Sequence, residues 1–314
     1  MKHSLYITLI IIALFVITQF VGLMTVNRHI KVETSETGET IIVHPETVLG
    51  QPLVVEESQK SYSFIYISMG VLLGTLLILL FIKFNVQTVW KYWFLLAVIS
   101  TLAVSFGVYV NYTLAGIAAA VLGLWKVFKP NVWVHNLTEI FVYTGITIIF
   151  LPILNLTSVI VLLLIISLYD MFAVWKSKHM IKMAQFQTKA NVFAGLFIPY
   201  AKPTGSVSTQ TAPAKGKKMP KTIPMQQQTK NAVLGGGDIA FPLLFSSTVM
   251  EHLIRNIGMV KEVALGVTAI ITATTTLALF LLLYLAKEDR FYPAMPFVTA
   301  GCLAGLGIIW LCVI

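Results

Sequence analysis

The sequence predicts an all-α polytopic membrane protein of about nine transmembrane helices, its N-terminus cytoplasmic and its C-terminus outside. Three observations carry this. Of the 314 residues, 57% are hydrophobic and 11% charged, with a mean hydropathy of +0.84, which is more apolar surface than a soluble domain can cover with polar groups. Apolar runs recur at about the 20-residue length that crosses a bilayer. The basic residues, finally, are divided unequally between the loops that separate those runs. A formal net charge of +9 therefore reports orientation, and no nucleic-acid partner is expected.

The first run, 5–26, follows Lys2 and ends in GLMTVN without a small-residue cleavage site, which marks a retained anchor rather than a secretory leader. Runs at 63–83, 92–110, 113–128, 138–154 and 156–175 complete an N-terminal part, 1–175; runs at 232–250, 262–286 and 294–313 form a C-terminal part, 232–314. An odd number of crossings puts the termini on opposite sides. A cytoplasmic N-terminus places Lys2, Lys83, Lys91, Lys126, Lys129, ten lysines from Lys176 to Lys230, Lys287 and Arg290 inside, 17 of the 22 basic residues. Only Arg28, Lys31, Lys60, Arg255 and Lys261 remain outside. The long inner connection, 176–231, carries AKPTGSVSTQTAPAKGKKMPKTIPMQQQTK, a Pro-, Gln-, Thr- and Lys-rich stretch too polar to fold, so partial disorder is expected. Before it, NVFAGLFIPY at 191–200 reads either as a strand at the membrane face or as an interfacial turn anchoring the loop.

Most of the 13 acids are assigned to loops and span ends: Glu33, Glu36, Glu39, Glu46, Glu56, Glu57, Glu251 and Glu262 outside, Glu288 and Asp289 inside, Glu139 at a helix start. Asp170 and Asp238 remain within spans. A carboxylate there costs about 2.5–3.5 kcal/mol on insertion scales, which makes both functional candidates. At about 1.5 Å per helical residue, Asp170 lies ~9 Å from Lys176 and Asp238 ~12 Å from Lys230, a similar depth on spans that run in opposite directions, so the two carboxylates can meet if those helices pack together. Gly235, Gly236 and Gly237 remove side chains from a helix surface and admit another backbone, and Pro242 deletes a helical hydrogen bond. Such a patch alone is ordinary helix packing, but packing does not require a carboxylate. Two carboxylates within hydrogen-bond reach share one proton, so one can draw a proton from water while the other donates to a peptide carbonyl. The same acids also suit a proton- or cation-coupled transporter or leak channel, and a scaffold that uses neither is a third reading.

LYDMFAV supplies Tyr169-Asp170, GGGD at 235–238 fits G-x-G-D, and YPAMPF supplies Pro293-Ala294-Met295-Pro296. On the sixth span, the seventh, and just before the ninth, these motifs resemble those of the GxGD intramembrane aspartyl proteases, the presenilin and signal peptide peptidase families. The cytoplasmic N-terminus and Pro296 look presenilin-like, and the short loops are most similar to the archaeal homologues. The resemblance implies a presenilin-like fold and an intramembrane aspartic endopeptidase. Asp170 and Asp238 would be its catalytic pair, with Tyr169 and Gly235 to Gly237 in support. Pro293 to Pro296 would form a turn that holds substrate, with Met295 where the family usually has leucine. Gly195, Leu196, Phe197, Ile198 and Pro199 would pair with an unwound substrate as an added strand. Implied partners are transmembrane protein substrates and the lipid bilayer; the reaction needs no cofactor, and the location is a prokaryotic cell membrane.

Other chemistry is set aside on the residues. His3, His29, His44, His135, His179 and His252 are read as loop or span-end residues, and no H-E-x-x-H occurs. Ser246, Ser247 and Thr248 have no histidine at matching depth to activate them and read as backbone-bonding helix residues. His179 and Lys182 read as solvated or lipid-facing. Cys302 and Cys312 read as apolar filler.

Overall fold

The computed structural model describes residues 5–34, 40–53, 55–177, 183, 186, 192–201, 229–286 and 292–312. Among these, nine long helices follow one another: α1 Leu5–His29, α2 Ser63–Phe84, α3 Gln87–Gly107, α4 Tyr112–Phe128, α5 Val132–Phe150, α6 Leu156–Phe172, α7 Gly237–Ile257, α8 Lys261–Leu285 and α9 Met295–Cys312. Seven are long and apolar enough to cross a membrane; α4 is shorter, and α7 carries Asp238, Glu251 and Arg255. Asparagines punctuate the middle of the bundle, because each side chain accepts an otherwise orphaned N–H at a helix start. Asn111 accepts from Leu114 at 2.9 Å, Asn131 from Trp133 at 2.9 Å, and Asn155 from Ser158 at 2.9 Å in a reciprocal capping box.

At the centre stands α7, packed by α1, α5, α6, α8 and α9, with Ile239, Leu243, Phe245, Val249 and Leu253 in the main core. Small residues let backbones meet without intervening side chains. A Cβ at Gly145 of α5 would lie 2.0 Å from the Thr101 carbonyl of α3, and one at Gly301 of α9 2.7 Å from Thr275 Cα of α8. At the periphery, α2 buries only Ser63 and touches α3 and α6.

Two antiparallel hairpins interrupt the helices. β1 Lys31–Thr34 pairs with β2 Thr40–Val43 in the acidic loop after α1, and β3 Gly195–Ala201 pairs with β4 Thr229–Gly235. The second hairpin corrects the expected seventh span. Residues 232–236 are not helical: Ala232 and Leu234 are buried while Val233 between them is exposed, the alternation of a half-buried strand, and the helix starts only at Gly237. Similarly, α3 begins at Gln87 and α5 at Val132, several residues before the expected starts. Residues 202–228, most of the 201–230 stretch expected to be disordered, and His179 and Lys182 lie outside the described residues, whereas the ends of that stretch, Ala201, Thr229 and Lys230, belong to β3 and β4.

The assignment of acids also needs correction. Glu139 and Glu251 lie inside α5 and α7, exposed to only 1% and 6%, because each meets a cationic or titratable partner distant in sequence. Glu139 forms an ion pair with Lys126 of α4, itself 3% exposed, and Glu251 lies 3.1 Å from His44 Nε2. The His44–Glu251 pair lines a cavity of about 1230 Å³ bounded by β2, the turn Glu57–Lys60 and the last turns of α7, where Arg255 bonds Glu57. Burial opposes the charge on Glu57, yet Lys60 and Arg255 hold its carboxyl below the usual carboxylate range.

Candidate active site

Asp170 occupies the last turn of α6 and Asp238 the first turn of α7. Asp170 Oδ2 accepts the Met295 N–H at 3.1 Å, and the Ala294 N–H bonds the same carboxylate. These N–H groups are the unsatisfied donors at the start of α9, and Pro296, at the next position, has none to satisfy. The Pro293–Pro296 turn is thus a backbone cradle for Asp170. The Met295 side chain is buried in the main core at 4% exposure, so methionine in place of leucine changes packing while the backbone N–H remains. One turn before Asp170, Ser167 and Thr299 share a 2.6 Å hydrogen bond that docks α6 on α9. The Thr75 hydroxyl donates to the Val71 carbonyl at 2.9 Å, so Tyr169 donates its own proton to Thr75, also at 2.9 Å, clipping α2 to α6 beside Asp170.

Asp238 accepts a backbone N–H from Gly235 and lies within electrostatic reach of Asp170. Its turn is held by Gln19 of α1, whose Nε2 donates to the Ile239 carbonyl at 2.9 Å. Pro242 leaves the Asp238 carbonyl without its helical donor. The three glycines do not line a helix surface as expected: Gly235 ends β4, Gly236 makes the bend, and Gly237 opens α7. Their spaces differ. A Cβ at Gly235 would lie 3.0 Å from Asp238 Oδ2. One at Gly236 would lie 3.0 Å from the Tyr143 hydroxyl and 3.4 Å from the Ala194 carbonyl, whereas one at Gly237 would touch only the Phe241 ring at 3.7 Å.

The β3–β4 ribbon leads directly into this bend, since Gly236 N–H donates to the Ala194 carbonyl at 3.3 Å. Its seat is a polar stripe on α5. His135 Nε2 donates to the Gly195 carbonyl at 2.8 Å; Asn136 Nδ2 donates to the Phe197 carbonyl at 3.0 Å, and the Phe197 N–H donates to Asn136 Oδ1 at 3.1 Å. In an antiparallel ladder alternate residues direct both polar groups to the partner strand. Phe197 therefore faces away from β4, as do Gly195 and Pro199, while Leu196 and Ile198 face it. The edge of β3 expected to receive substrate is already occupied at Gly195 and Phe197, and Pro199 has no N–H. The outward groups of β4, at Asn231 and Val233, face the other way.

His135, Asn136, Glu139 and Tyr143 were not singled out by the sequence as site residues. Their spacing of one, three and four, on a helix whose other polar side chains are threonines, was the available signal, together with the amide of Gln19 deep within its span. His135 lies at a span end, in the first turn of α5, and is buried there at 8% exposure. Thr248 donates to the Leu244 carbonyl at 2.9 Å, as expected of a helix hydroxyl, and Ser246 and Ser247 are buried.

A family model described as signal-peptide peptidase, presenilin aspartyl protease matches residues 12–313. No curated protein matches the chain. Two solved structures of a presenilin family intramembrane aspartate protease have a similar fold. The one in space group C222 is 14% identical with a TM-score of 0.51, over 95% of this chain and 94% of that chain. The one in space group P2 is 16% identical with a TM-score of 0.50, over 97% and 96%.

Proposed function

The chain belongs to the signal-peptide peptidase, presenilin aspartyl protease family, and on that premise we propose that Asp170 and Asp238 are the dyad with which it cuts the transmembrane segments of other proteins. One observation carries this: the two carboxylates, on consecutive long helices, lie within electrostatic reach of each other, and each accepts backbone N–H groups. With one proton between them, the ionised partner takes a proton from a water as that water attacks the scissile carbonyl. The protonated partner hydrogen-bonds the carbonyl oxygen and stabilises the tetrahedral intermediate, then a proton passes to the departing amine. Water is the only co-reactant, so the reaction needs no metal or organic cofactor.

Substrate must be unwound first, because a peptide bond inside a helix is shielded by its own hydrogen bonds. The outward N–H and C=O groups of β4 suit an added strand, with residues 195–199 acting from behind as its pairing partner and Pro293–Pro296 fixing Asp170 opposite. Seven helices among the described residues that are long and apolar enough to cross a membrane, the short loops between them and the distribution of basic residues support a multi-pass protein of a prokaryotic cell membrane with its N-terminus in the cytoplasm.

Activity is expected to follow a bell over pH, since one carboxylate must be ionised and one protonated, and the limbs belong to the pair rather than to either residue. The test is kcat/KM for a single-span reporter, measured across pH with the purified full chain in liposomes, alongside proton and cation flux through the same vesicles. A pH-independent rate, or a flux that vanishes in Asp170→Asn while the reporter stays intact, contradicts the protease reading.

A further inference from the structure

Resting on that reading of the site, we infer that Asn136 and His135 are positioning residues: they close the back edge of the ribbon and thereby set which peptide bond of a bound strand meets the two acids.

The amide of Asn136 offers one donor and one acceptor to the same residue, Phe197, just as a neighbouring strand would. It therefore holds β3 at a single register. A two-residue slip one way would put Pro199 opposite the amide, and Pro199 has no N–H to give. A slip the other way would put Phe193 where Gly195 now stands, at a φ of +151° that few residues other than glycine adopt and where any Cβ would run into the Leu234 carbonyl. His135 adds a second fixed point at the Gly195 carbonyl, and its ring lies edge-on against Phe197 with centroids 5.1 Å apart. Both side chains are only 8% exposed. The chain of constraint is then continuous. α5 fixes β3, the ladder fixes β4, and β4 runs through Gly235 and Gly236 into Asp238 within three residues. Because strand register determines which groups face where, loosening the back edge moves a strand on β4 relative to the dyad.

The test uses the purified full chain, a single-span substrate, and mass spectrometry of the products. In Asn136→Leu, the share of product cut at bonds other than the main one is expected to rise about threefold or more, the scale on which a net hydrogen bond biases an equilibrium. His135→Leu should shift the pattern in the same sense. His135→Gln, whose amide can still donate to the Gly195 carbonyl, should restore the parent pattern. A merely structural role would lower total turnover and leave the product ratio unchanged, so an unchanged ratio in both leucine variants overturns the inference at any rate of cleavage. Backbone hydrogen exchange provides a readout that needs no cleavage. The Phe197 amide, whose acceptor is Asn136 Oδ1, should exchange on the order of tenfold faster in Asn136→Leu, or in Asn136→Ala should the first variant not fold, while Leu196 and Ile198 stay protected. Equal protection of Phe197 in parent and variant contradicts the edge closure. A parent that cuts no substrate defeats the protease reading and the register claim with it, an outcome distinct from a parent that cuts with an immovable pattern.

Discussion

Lys126→Met will destabilise the protein by about 3–5 kcal/mol, the usual cost of stripping one partner from a buried ion pair. Lys126 and Glu139 are 3% and 1% exposed and join α4 to α5. Neither side chain reaches water, so the carboxylate left behind has no solvent to replace the lost ammonium. Glu139 also lies 3.9 Å from His135 Nε2, and its orphaned charge would act on the seat of the β3–β4 ribbon. The double variant Lys126→Met/Glu139→Leu removes both charges and keeps apolar volume, and is expected to recover most of the loss, because well-packed apolar replacements of buried pairs are often neutral. Chemical unfolding in detergent micelles measures both. A single variant as stable as the parent, or a double variant worse than the single, contradicts this account of the pair.

Among the three glycines, alanine will be harmful at 235 and 236 and harmless at 237. At Gly235 the added methyl meets Asp238 Oδ2 at 3.0 Å, and the carboxylate must shift by tenths of an ångström to make room. At Gly236 it meets the hydroxyl of Tyr143, a side chain 2% exposed and unable to retreat, with the Ala194 carbonyl behind it. Overpacking on this scale costs about 1–3 kcal/mol, which corresponds to roughly five- to a hundredfold if it falls on the transition state. At Gly237 only an ordinary van der Waals contact awaits, and alanine in the first helical turn is a better helix former than glycine by about 0.5–1 kcal/mol. The x position of the G-x-G-D motif, Gly236, is therefore a constrained one in this chain, and the second glycine, Gly237, is not. Measured kcat/KM on a single-span reporter should fall about tenfold or more for Gly235→Ala and Gly236→Ala and stay within about twofold for Gly237→Ala. The reverse order would show that the bend is built differently.

The helices were legible in the sequence because lipid imposes a length and an apolar composition on anything that crosses it, and Asn111, Asn131 and Asn155 mark three of the boundaries. Asp170 and Asp238 could be singled out because charge is rare in such segments, whereas the Pro293–Pro296 turn stood out only through the resemblance to the GxGD proteases. The ribbon was half legible: the apolar, aromatic run NVFAGLFIPY allowed a strand or an interfacial turn, but the partner β4 merges with the apolar start of α7, and Gly195 and Gly235 pair across a gap that local patterning cannot span. The same limit hid the burial of Glu139 and Glu251, whose partners Lys126 and His44 are invisible to periodicity, and the occupied edge of β3, which depends on how the first turn of α5 meets a strand 60 residues later.

Cleavage of a single-span reporter by the purified chain, with Asp170→Asn and Asp238→Asn prepared in parallel and shown by unfolding to be intact, tests the dyad most directly. Each substitution keeps the shape of the side chain and removes the shared titratable site, so the expected result is cutting by the parent and a loss in each variant of at least about a thousandfold, the scale of general acid–base catalysis. Cleavage persisting near the parent rate in either folded variant would mean that the corresponding carboxylate is not part of the chemistry.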